Sequence, residues 1–244
     1  MDASGAPSTG AYCGPMDDVR GVLFDFGNTL FAHASLPHTV EQCCRRLGAA
    51  TTAEWAAAAA ARIEAAAHTP DEVALGRDLD AAVWRARWHV LYAVADGEVP
   101  GLGAAIYSAM HDPLQWVPYA RTATTLRTLV AAGVPVALVS NTGWDVRAVL
   151  AAHGLLGEIR SVVLSCEVGL VKPSAAIFEL ACAQLGVAPS EALMVGDDVV
   201  ADGGAARAGL RTLLLPVGAP GVDNGLDAVT RIVVPSPAAT PTVG

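Results

Sequence analysis

The sequence predicts an α/β protein built on a parallel sheet with helices on both faces, and two observations lead to this class. Short apolar runs rich in β-branched residues alternate with helical patterns over the second half of the 244-residue chain. Glycines follow four of these helical patterns, at the position where helices commonly end: Gly133, Gly154, Gly186 and Gly209. Because parallel strands need crossover connections, the alternation favours a sheet covered by helices.

Five runs predict the strands, and a sixth run is an additional candidate. The first is residues 22–26, an apolar run that ends at Gly27. The others are residues 134–139, 161–164, 192–195 and 211–215, with 231–234 as the sixth candidate. Helical patterns lie between them, at residues 122–132, 144–153, 174–185 and 201–208. Together they predict a three-layer, Rossmann-like core.

Residues 32–116 interrupt the alternation. This stretch is rich in Ala, Arg and Trp and contains no run typical of a strand. Helices are predicted within it at residues 36–47, 53–67, 77–95 and 102–110. The sequence therefore predicts a smaller, all-helical cap domain at 32–116, inserted into a core formed by 18–31 and 117–234. Residues 1–17 and 235–244 are small, polar and punctuated by Gly or Pro, so we expect flexible tails there.

Composition excludes several classes of function. The chain carries 15 Lys and Arg against 24 Asp and Glu, a formal charge of −9, which argues against a nucleic-acid partner. No apolar stretch is long enough for a membrane span, and no signal peptide precedes the first strand. The five cysteines fit no disulfide or metal spacing, so we expect reduced thiols and a cytoplasmic location.

Polar residues stand at or near the ends of the predicted strands. Ligands bind at the carboxyl ends of the strands in open α/β sheets, so these residues are candidates for one site. Each alone could be a helix cap, but their ordered occurrence points to chemistry. They are Asp25, Ser140, Asn141, Lys172, Asp197, Asp198 and Asp202.

In this order, four motifs resemble those of the haloacid dehalogenase superfamily of phosphatases and phosphotransferases. The segment Asp25-Phe26-Gly27-Asn28-Thr29-Leu30 is similar to the first motif, Ser140 to the second, Lys172-Pro173 to the third, and the segment from Gly196 to Asp202 to the fourth. The resemblance spans residues 18–217. The first two motifs lie 110 positions apart and the later ones only 32 and 25, so the extra chain falls where subclass I members insert a helical C1 cap.

The resemblance implies a magnesium-dependent phosphatase for a small phosphorylated metabolite, acting as a monomer or homodimer. Mg²⁺ would lie between Asp25, Asp197 and the backbone carbonyl of Gly27, and Asp25 would form an aspartyl-phosphate. Lys172 would neutralise the nucleophile and the phosphoryl oxygens. Ser140 and Asn141, with Lys172, would bind the phosphate. Asp202 would orient Lys172 or a water, and the role of Asp198 is open.

Lys172 is the single lysine of the sequence, against fourteen arginines. It stands where the third motif requires a compact point charge, which the larger guanidinium fork supplies poorly. The helical insertion contains no lysine, which excludes the Schiff-base mechanism of phosphonate-cleaving relatives. Dehalogenation is disfavoured as well, because dehalogenases of the superfamily lack the acidic fourth motif.

Gly27 departs from the family pattern, since most phosphatases of the family have an acid/base Asp at this position. Three explanations compete. The substrate has a good leaving group, or another residue such as His33 substitutes, or the protein is a catalytically weak relative that binds a phosphorylated ligand or a protein partner.

The helical insertion is expected to select the substrate. Trp84 and Trp88 recur with Tyr92 at helical spacing on one face. They are either the core of a helical bundle or, together with Trp144 after the second motif, contacts of the substrate. The sequence leaves both readings open.

Overall fold

The computed structural model describes residues 19–97 and 99–234, so the predicted tails lie outside the described residues. Its strands are β1 (Gly21–Phe24), β2 (Phe31–His33), β3 (Trp116–Pro118), β4 (Val136–Ser140), β5 (Ser161–Leu164), β6 (Ala192–Gly196) and β7 (Arg211–Leu214). Its α-helices are α1 (Leu36–Arg46), α2 (Ala53–Ala67), α3 (Pro70–Ala74), α4 (Ala81–Ala93), α5 (Leu102–Met110), α6 (Thr122–Ala131), α7 (Arg147–Ala152), α8 (Ser165–Val168), α9 (Ala175–Leu185) and α10 (Asp227–Val233).

The main sheet has five parallel strands in the order β5-β4-β1-β6-β7, which confirms the predicted α/β class. Strand β1 lies in the middle, where Phe24 is opposite Leu138 of β4 and Val195 of β6. The carboxyl ends of β1, β4 and β6 are therefore neighbours. The residues that follow these three strands meet at one edge of the sheet.

Both faces of the sheet are covered, because successive side chains of a strand point to opposite sides. Val22 and Phe24 of β1 belong to one buried cluster, which includes side chains of α6, α7 and α10. Leu23 belongs to a second cluster with Ile177 and Phe178 of α9. All of these side chains are fully buried. The alternation along β1 thus produces the three predicted layers.

The inserted helices bury a third cluster of their own. Val40 and Cys44 of α1 pack there with Ile63 of α2 and Ile106 of α5. The domain boundary predicted at 32–116 stays a prediction, but the chain enters and leaves the insertion through two antiparallel strands. Phe31 of β2 is opposite Pro118 of β3. The expectation of no strand was therefore wrong at residues 32, 33 and 116, because the two ends of the insertion pair with each other.

Other predicted elements differ from the structure. The candidate strand at 231–234 is wrong, because residues 227–233 form α10, which buries Val229 and Val233 in the cluster on one face of the sheet. The predicted helix at 77–95 is divided into a 3-10 turn at 77–79 and α4, whose N-terminus is capped by Asp80. The helix predicted at 144–153 begins only at Arg147, and the one predicted at 201–208 is a 3-10 helix over 203–208.

Two negative findings concern the described part of the chain. None of its helices combines the length and the apolar character that a membrane span requires. Its four cysteines, Cys43, Cys44, Cys166 and Cys182, are free thiols, as the sequence predicts.

Candidate active site

Asp25 and Lys172 form a buried ion pair at the centre of the sheet edge. Asp25 directly follows β1, and its backbone N–H donates to the carbonyl of Val195 at 2.9 Å. The Lys172 Nζ lies 2.5 Å from Asp25 Oδ1 and 2.6 Å from Asp202 Oδ1. Only 3% of the Lys172 side chain is exposed. One ammonium therefore joins two carboxylates that come from different parts of the sequence.

Asn141 holds the backbone of Lys172 in place. Its Oδ1 accepts a hydrogen bond from the Lys172 N–H at 2.8 Å, and its Nδ2 donates to the Lys172 carbonyl at 2.9 Å. Pro173 packs directly against Gly204, where an added Cβ would lie 2.4 Å from the Pro173 Cβ. The phosphate contact predicted for Asn141 stays a prediction. In the structure its amide positions the lysine.

Asp202 is the most buried carboxylate of the cluster, with 1% of its side chain exposed. Its Oδ2 accepts hydrogen bonds from the backbone N–H groups of Asp197 and Asp198, both at 3.0 Å. This close approach requires a glycine at position 196, where a Cβ would lie 2.1 Å from Asp202 Oδ2. Asp202 therefore contacts both Lys172 and the loop after β6, while the orienting role predicted for it stays a prediction.

The two adjacent aspartates after β6 have different surroundings. Asp197 is half-buried, and its Oδ1 accepts a hydrogen bond from the Thr29 hydroxyl at 3.2 Å. Asp198 is exposed, and its Oδ1 accepts from the N–H groups of Val200 and Ala201, both at 2.7 Å. Asp198 therefore caps the following turn, while Asp197 faces the cluster.

The cluster has more negative than positive charge. Oxygen atoms of Asp25, Asp197 and Asp202 all lie within 4.8 Å of one another, with Lys172 as the cation between two of them. Burial raises the pKa of Asp25 to about 6, against the opposing effect of Lys172. Burial, and next Asp202, also raise the pKa of Asp197. Burial alone would lower the pKa of Lys172, but the two carboxylates outweigh it and the net shift is upward.

This arrangement fits a divalent cation. An excess of partly buried carboxylate oxygens is the environment that hard cations such as Mg²⁺ prefer. Because both Asp202 oxygens are used by Lys172 and by backbone N–H groups, Asp25 and Asp197 are the side chains available to a metal. The backbone carbonyl of Gly27 remains the ligand that the family resemblance adds.

A cavity of about 400 Å³ lies over this cluster. Ser140, the last residue of β4, lines it with 6% of its surface exposed, and none of the described residues forms a hydrogen bond with its hydroxyl. His33 does not line the cavity, because its ring nitrogens face the carbonyls of Ala34 at 2.9 Å and Ala109 at 3.3 Å. Aromatic side chains form much of the remaining wall: Phe26, Trp84, Trp88, Tyr92, Trp116 and Trp144.

Sequence reasoning missed part of this wall. Trp116 and His111 line the cavity beside the predicted tryptophans. Trp116 is the first residue of β3, and His111 directly follows α5. The Trp84 Nε1 donates to His111 Nε2 at 3.2 Å, and His111 Nδ1 bonds to the Tyr107 carbonyl at 2.8 Å. The concentration of tryptophans in the second half of the insertion, at positions 84, 88 and 116, was the one available signal.

Two contacts join the inserted helices to the loop after β4. Gly143 lies against Trp84, whose Cβ would be 2.1 Å from a Cβ added at position 143. The hydroxyl of Ser165, which is fully buried, accepts from the Thr142 N–H at 2.9 Å and lies 2.5 Å from the carbonyl of Asp78. The loop that follows Ser140 is therefore packed directly against the insertion.

Comparisons with known proteins agree with this geometry. The chain is 38% identical over 120 residues to a ribulose-1,5-bisphosphate 5-phosphatase of Halopiger xanaduensis, a match that covers 48% of this chain and 49% of that protein. It is 31% identical over 210 residues to a glyceraldehyde 3-phosphate phosphatase of Methanopyrus kandleri, covering 80% of this chain and 83% of that protein. The chain thus spans about half the length of the first relative and most of the second.

A solved structure shares the fold at lower identity. The crystal structure of a dehalogenase superimposes with a TM-score of 0.67 at 22% identity, covering 91% of this chain and all of that one. At this identity the likeness concerns the fold alone. A family model described as haloacid dehalogenase-like hydrolase matches residues 19–209, which is most of the chain. Together with the relative matched over most of its length, this model shows that the chain belongs to the haloacid dehalogenase-like hydrolase family.

Proposed function

We propose that the protein is a Mg²⁺-dependent phosphatase of a small phosphorylated metabolite, with Asp25 as the nucleophile. The observation that carries the proposal is the contact of Lys172 Nζ with both Asp25 and Asp202 at one sheet edge, beside the carboxylate of Asp197. A carboxylate attacks a phosphate ester poorly unless cations offset their mutual repulsion. The site has one fixed cation and oxygen ligands for another.

Asp25 and Asp197 would hold the ion, with the carbonyl of Gly27. When bound, Mg²⁺ supplies positive charge that offsets the charges of the phosphate and of the attacking carboxylate. Apart from the metal and the water that hydrolyses the intermediate, the reaction uses groups that the chain provides.

The reaction proceeds in two displacements. The Asp25 carboxylate attacks phosphorus, the bond to the leaving oxygen breaks, and that oxygen departs with the electron pair. Water then hydrolyses the aspartyl-phosphate, which releases inorganic phosphate and regenerates the carboxylate. Lys172 and the Ser140 hydroxyl bind phosphoryl oxygens, and Asp202 and Asn141 keep Lys172 in position.

The names of the two relatives support phosphatase chemistry, and the acidic cluster favours it over dehalogenation. Gly27 favours a second candidate, a catalytically weak relative that binds a phosphorylated ligand. A protein without an acid at this position loses the general acid–base contribution, which is worth about 10²–10⁴ in rate.

The test is hydrolysis of 4-nitrophenyl phosphate by the purified protein with Mg²⁺, with EDTA, and with Asp25→Asn. We expect activity with the metal and none above background in the other two. Asp227→Asn changes an exposed carboxylate of α10 that pairs with Arg231 on the same helix, and it serves as the control.

Full activity of Asp25→Asn would contradict the mechanism. Metal-independent halide release from a 2-haloacid would indicate a dehalogenase instead. Saturable Mg²⁺-dependent binding of phosphometabolites without turnover would indicate the ligand-binding relative.

A further inference from the structure

The wall of the active-site cavity is an aromatic network. The ring of Trp116 lies with its centroid 4.9 Å from that of Phe26 and 6.1 Å from that of Trp144. On the other side, Trp84 is 5.5 Å from Trp88. These residues belong to separate parts of the chain, and all of them line the same cavity. A ligand that enters is therefore surrounded by aromatic faces and edges.

The wall offers no second positive charge. Among the described residues that line the cavity, Lys172 is the one lysine or arginine, and it is bonded to Asp25 and Asp202. His111 also lines the cavity, but its Nε2 accepts from Trp84 and its Nδ1 bonds to a backbone carbonyl, an arrangement that only the neutral ring can adopt. A second phosphate or a carboxylate on the substrate would find no second cation there.

The place of the usual acid is occupied by an aromatic surface. A Cβ added at Gly27 would meet Trp116 Cζ3 at 3.9 Å, an ordinary van der Waals contact. Among the other ionisable groups of the wall, Asp198 caps a turn through its Oδ1 and His111 is bonded at both nitrogens. Burial raises the pKa of the Tyr92 phenol, which makes it a poor proton donor. No described carboxylic acid takes the place of the acid that is missing at Gly27, so a leaving oxygen that departs as an anion fits this site best.

We propose that the substrate is an aryl phosphate, the phosphate monoester of a phenol, in which the phosphate is the single charged group. A phenol ionises at about pH 10, as the tyrosine side chain does, and its oxygen leaves far more readily than that of an aliphatic alcohol. The aromatic wall would stack on the planar leaving group. This inference rests on the proposed phosphatase function and identifies its substrate class.

The chemical balance needs no further reactant. Asp25 forms a bond to phosphorus, and the bond from phosphorus to the aryl oxygen breaks, with the electron pair on that oxygen. The phenoxide takes a proton from solvent. Water then cleaves the aspartyl-phosphate, so that aryl phosphate and water give phenol and inorganic phosphate.

The kinetic test compares 1-naphthyl phosphate with glycerol 3-phosphate and with a sugar bisphosphate, all with Mg²⁺. We expect kcat/KM to be at least about 10²-fold higher for the aryl ester, the range that general acid catalysis would otherwise supply. Gly27→Asp should reduce this ratio by restoring an acid, and Gly27→Ala, which adds volume without an acid, should not. A preference for glycerol 3-phosphate or the bisphosphate overturns the inference and leaves the phosphatase function intact.

A binding test separates the substrate class from turnover. The probes are 1-naphthylmethylphosphonate and propylphosphonate, measured by tryptophan fluorescence, since four of the five tryptophans line the cavity. We expect tighter binding of the naphthyl compound, weakened about 3- to 10-fold by Trp84→Leu or Trp88→Leu. Trp55→Leu, outside the cavity, is the matched control.

The outcomes of the two tests are distinguishable. Selective naphthyl binding without hydrolysis of any ester contradicts the phosphatase function but supports the aromatic ligand class. Equal binding of both phosphonates, or no effect of the cavity tryptophans beyond that of Trp55→Leu, overturns the inference even if aryl esters are hydrolysed.

Discussion

The floor and the wall of the active-site cavity are built in different ways. The floor consists of Asp25, Lys172, Asp197 and Asp202, whose side chains are held by hydrogen bonds and ion pairs of 2.5–3.2 Å, the longest from the Thr29 hydroxyl to Asp197. On the wall, the rings of Phe26, Trp116 and Trp144 lie with centroids 4.9–6.4 Å apart and contact through their surfaces. The floor therefore recognises the charge of the phosphate, while the wall recognises the shape of the rest of the substrate. Changes on the floor should therefore affect turnover, and changes on the wall should affect which substrate is bound.

The largest expected effect comes from removing the cation of the floor. Lys172→Met should lower kcat about 10²–10³-fold, because a fixed positive charge at the phosphoryl group is lost. Lys172→Arg should lower kcat as well. The guanidinium is too large for a space in which the lysine Nζ lies 2.5 and 2.6 Å from two carboxylates. Steady-state kinetics with an aryl phosphate measures both.

Exposed Arg20 provides the control for a change of basic residue, and Arg20→Lys should retain wild-type kinetics. Wild-type turnover by Lys172→Met would show that the floor does not depend on this cation, and the proposed mechanism would then be wrong.

The next effect is that of Asp202→Asn, which tests how the floor is held together. An asparagine cannot accept bonds from Lys172 and from two backbone N–H groups at once, as the carboxylate does. We expect kcat/KM to fall about 10–100-fold, as for other residues that orient catalytic groups. A loss carried by kcat, with KM and Tm little changed, would show a positioning role, whereas a fall in Tm alone would show a merely structural one.

Gly143→Ala tests the wall, because Gly143, in the loop that follows Ser140, packs against Trp84. The added Cβ would lie 2.1 Å from the Cβ of Trp84, so α4 or the loop has to move. Overpacking of this kind costs about 1–3 kcal/mol. We expect a higher KM for aryl phosphates with a smaller change in kcat.

Gly157→Ala is the matched control, because no atom lies within 4 Å of a Cβ at that position. Equal kinetics of the two alanine variants would mean that the contact between Trp84 and the loop does not shape the cavity.

The smallest effect on activity is expected from Ser165→Ala, because Ser165 does not line the cavity. The change removes the hydroxyl that accepts from the Thr142 N–H and faces the carbonyl of Asp78. Leaving the buried Thr142 N–H without its acceptor costs about 1–3 kcal/mol. The free energy of unfolding, measured in urea, should fall by about this amount, while exposed Ser190→Ala should leave it within about 0.5 kcal/mol of the wild type.

The sequence predicts the floor better than the wall for a physical reason. Asp25, Ser140 and Asp197 each stand at or directly after the end of a buried strand, so local pattern and parallel topology are enough to bring them together. Lys172 is predicted from its similarity to the third motif and from being the single lysine of the sequence. The roles of these residues remain predictions, although the structure places all of them around one cavity.

The wall depends on packing between distant segments, which no local pattern reports. Trp84 and His111 are 27 positions apart and meet only because α4 and α5 pack together. The wrong strand at 231–234 has a different cause, because two local patterns compete there. Its β-branched residues favour a strand locally, but Val229 and Val233 have the helical spacing that buries one face of α10.

The isolation of Lys172 has an experimental consequence. These 244 residues contain one side-chain amine, and 3% of that side chain is exposed. Acylation by an amine-directed reagent therefore has one lysine to modify, and its rate reports how often Lys172 leaves its two carboxylate partners and becomes accessible as the neutral amine. A peptide mass spectrum of the labelled protein would follow this opening, and the protection given by a bound ligand, without any engineered label.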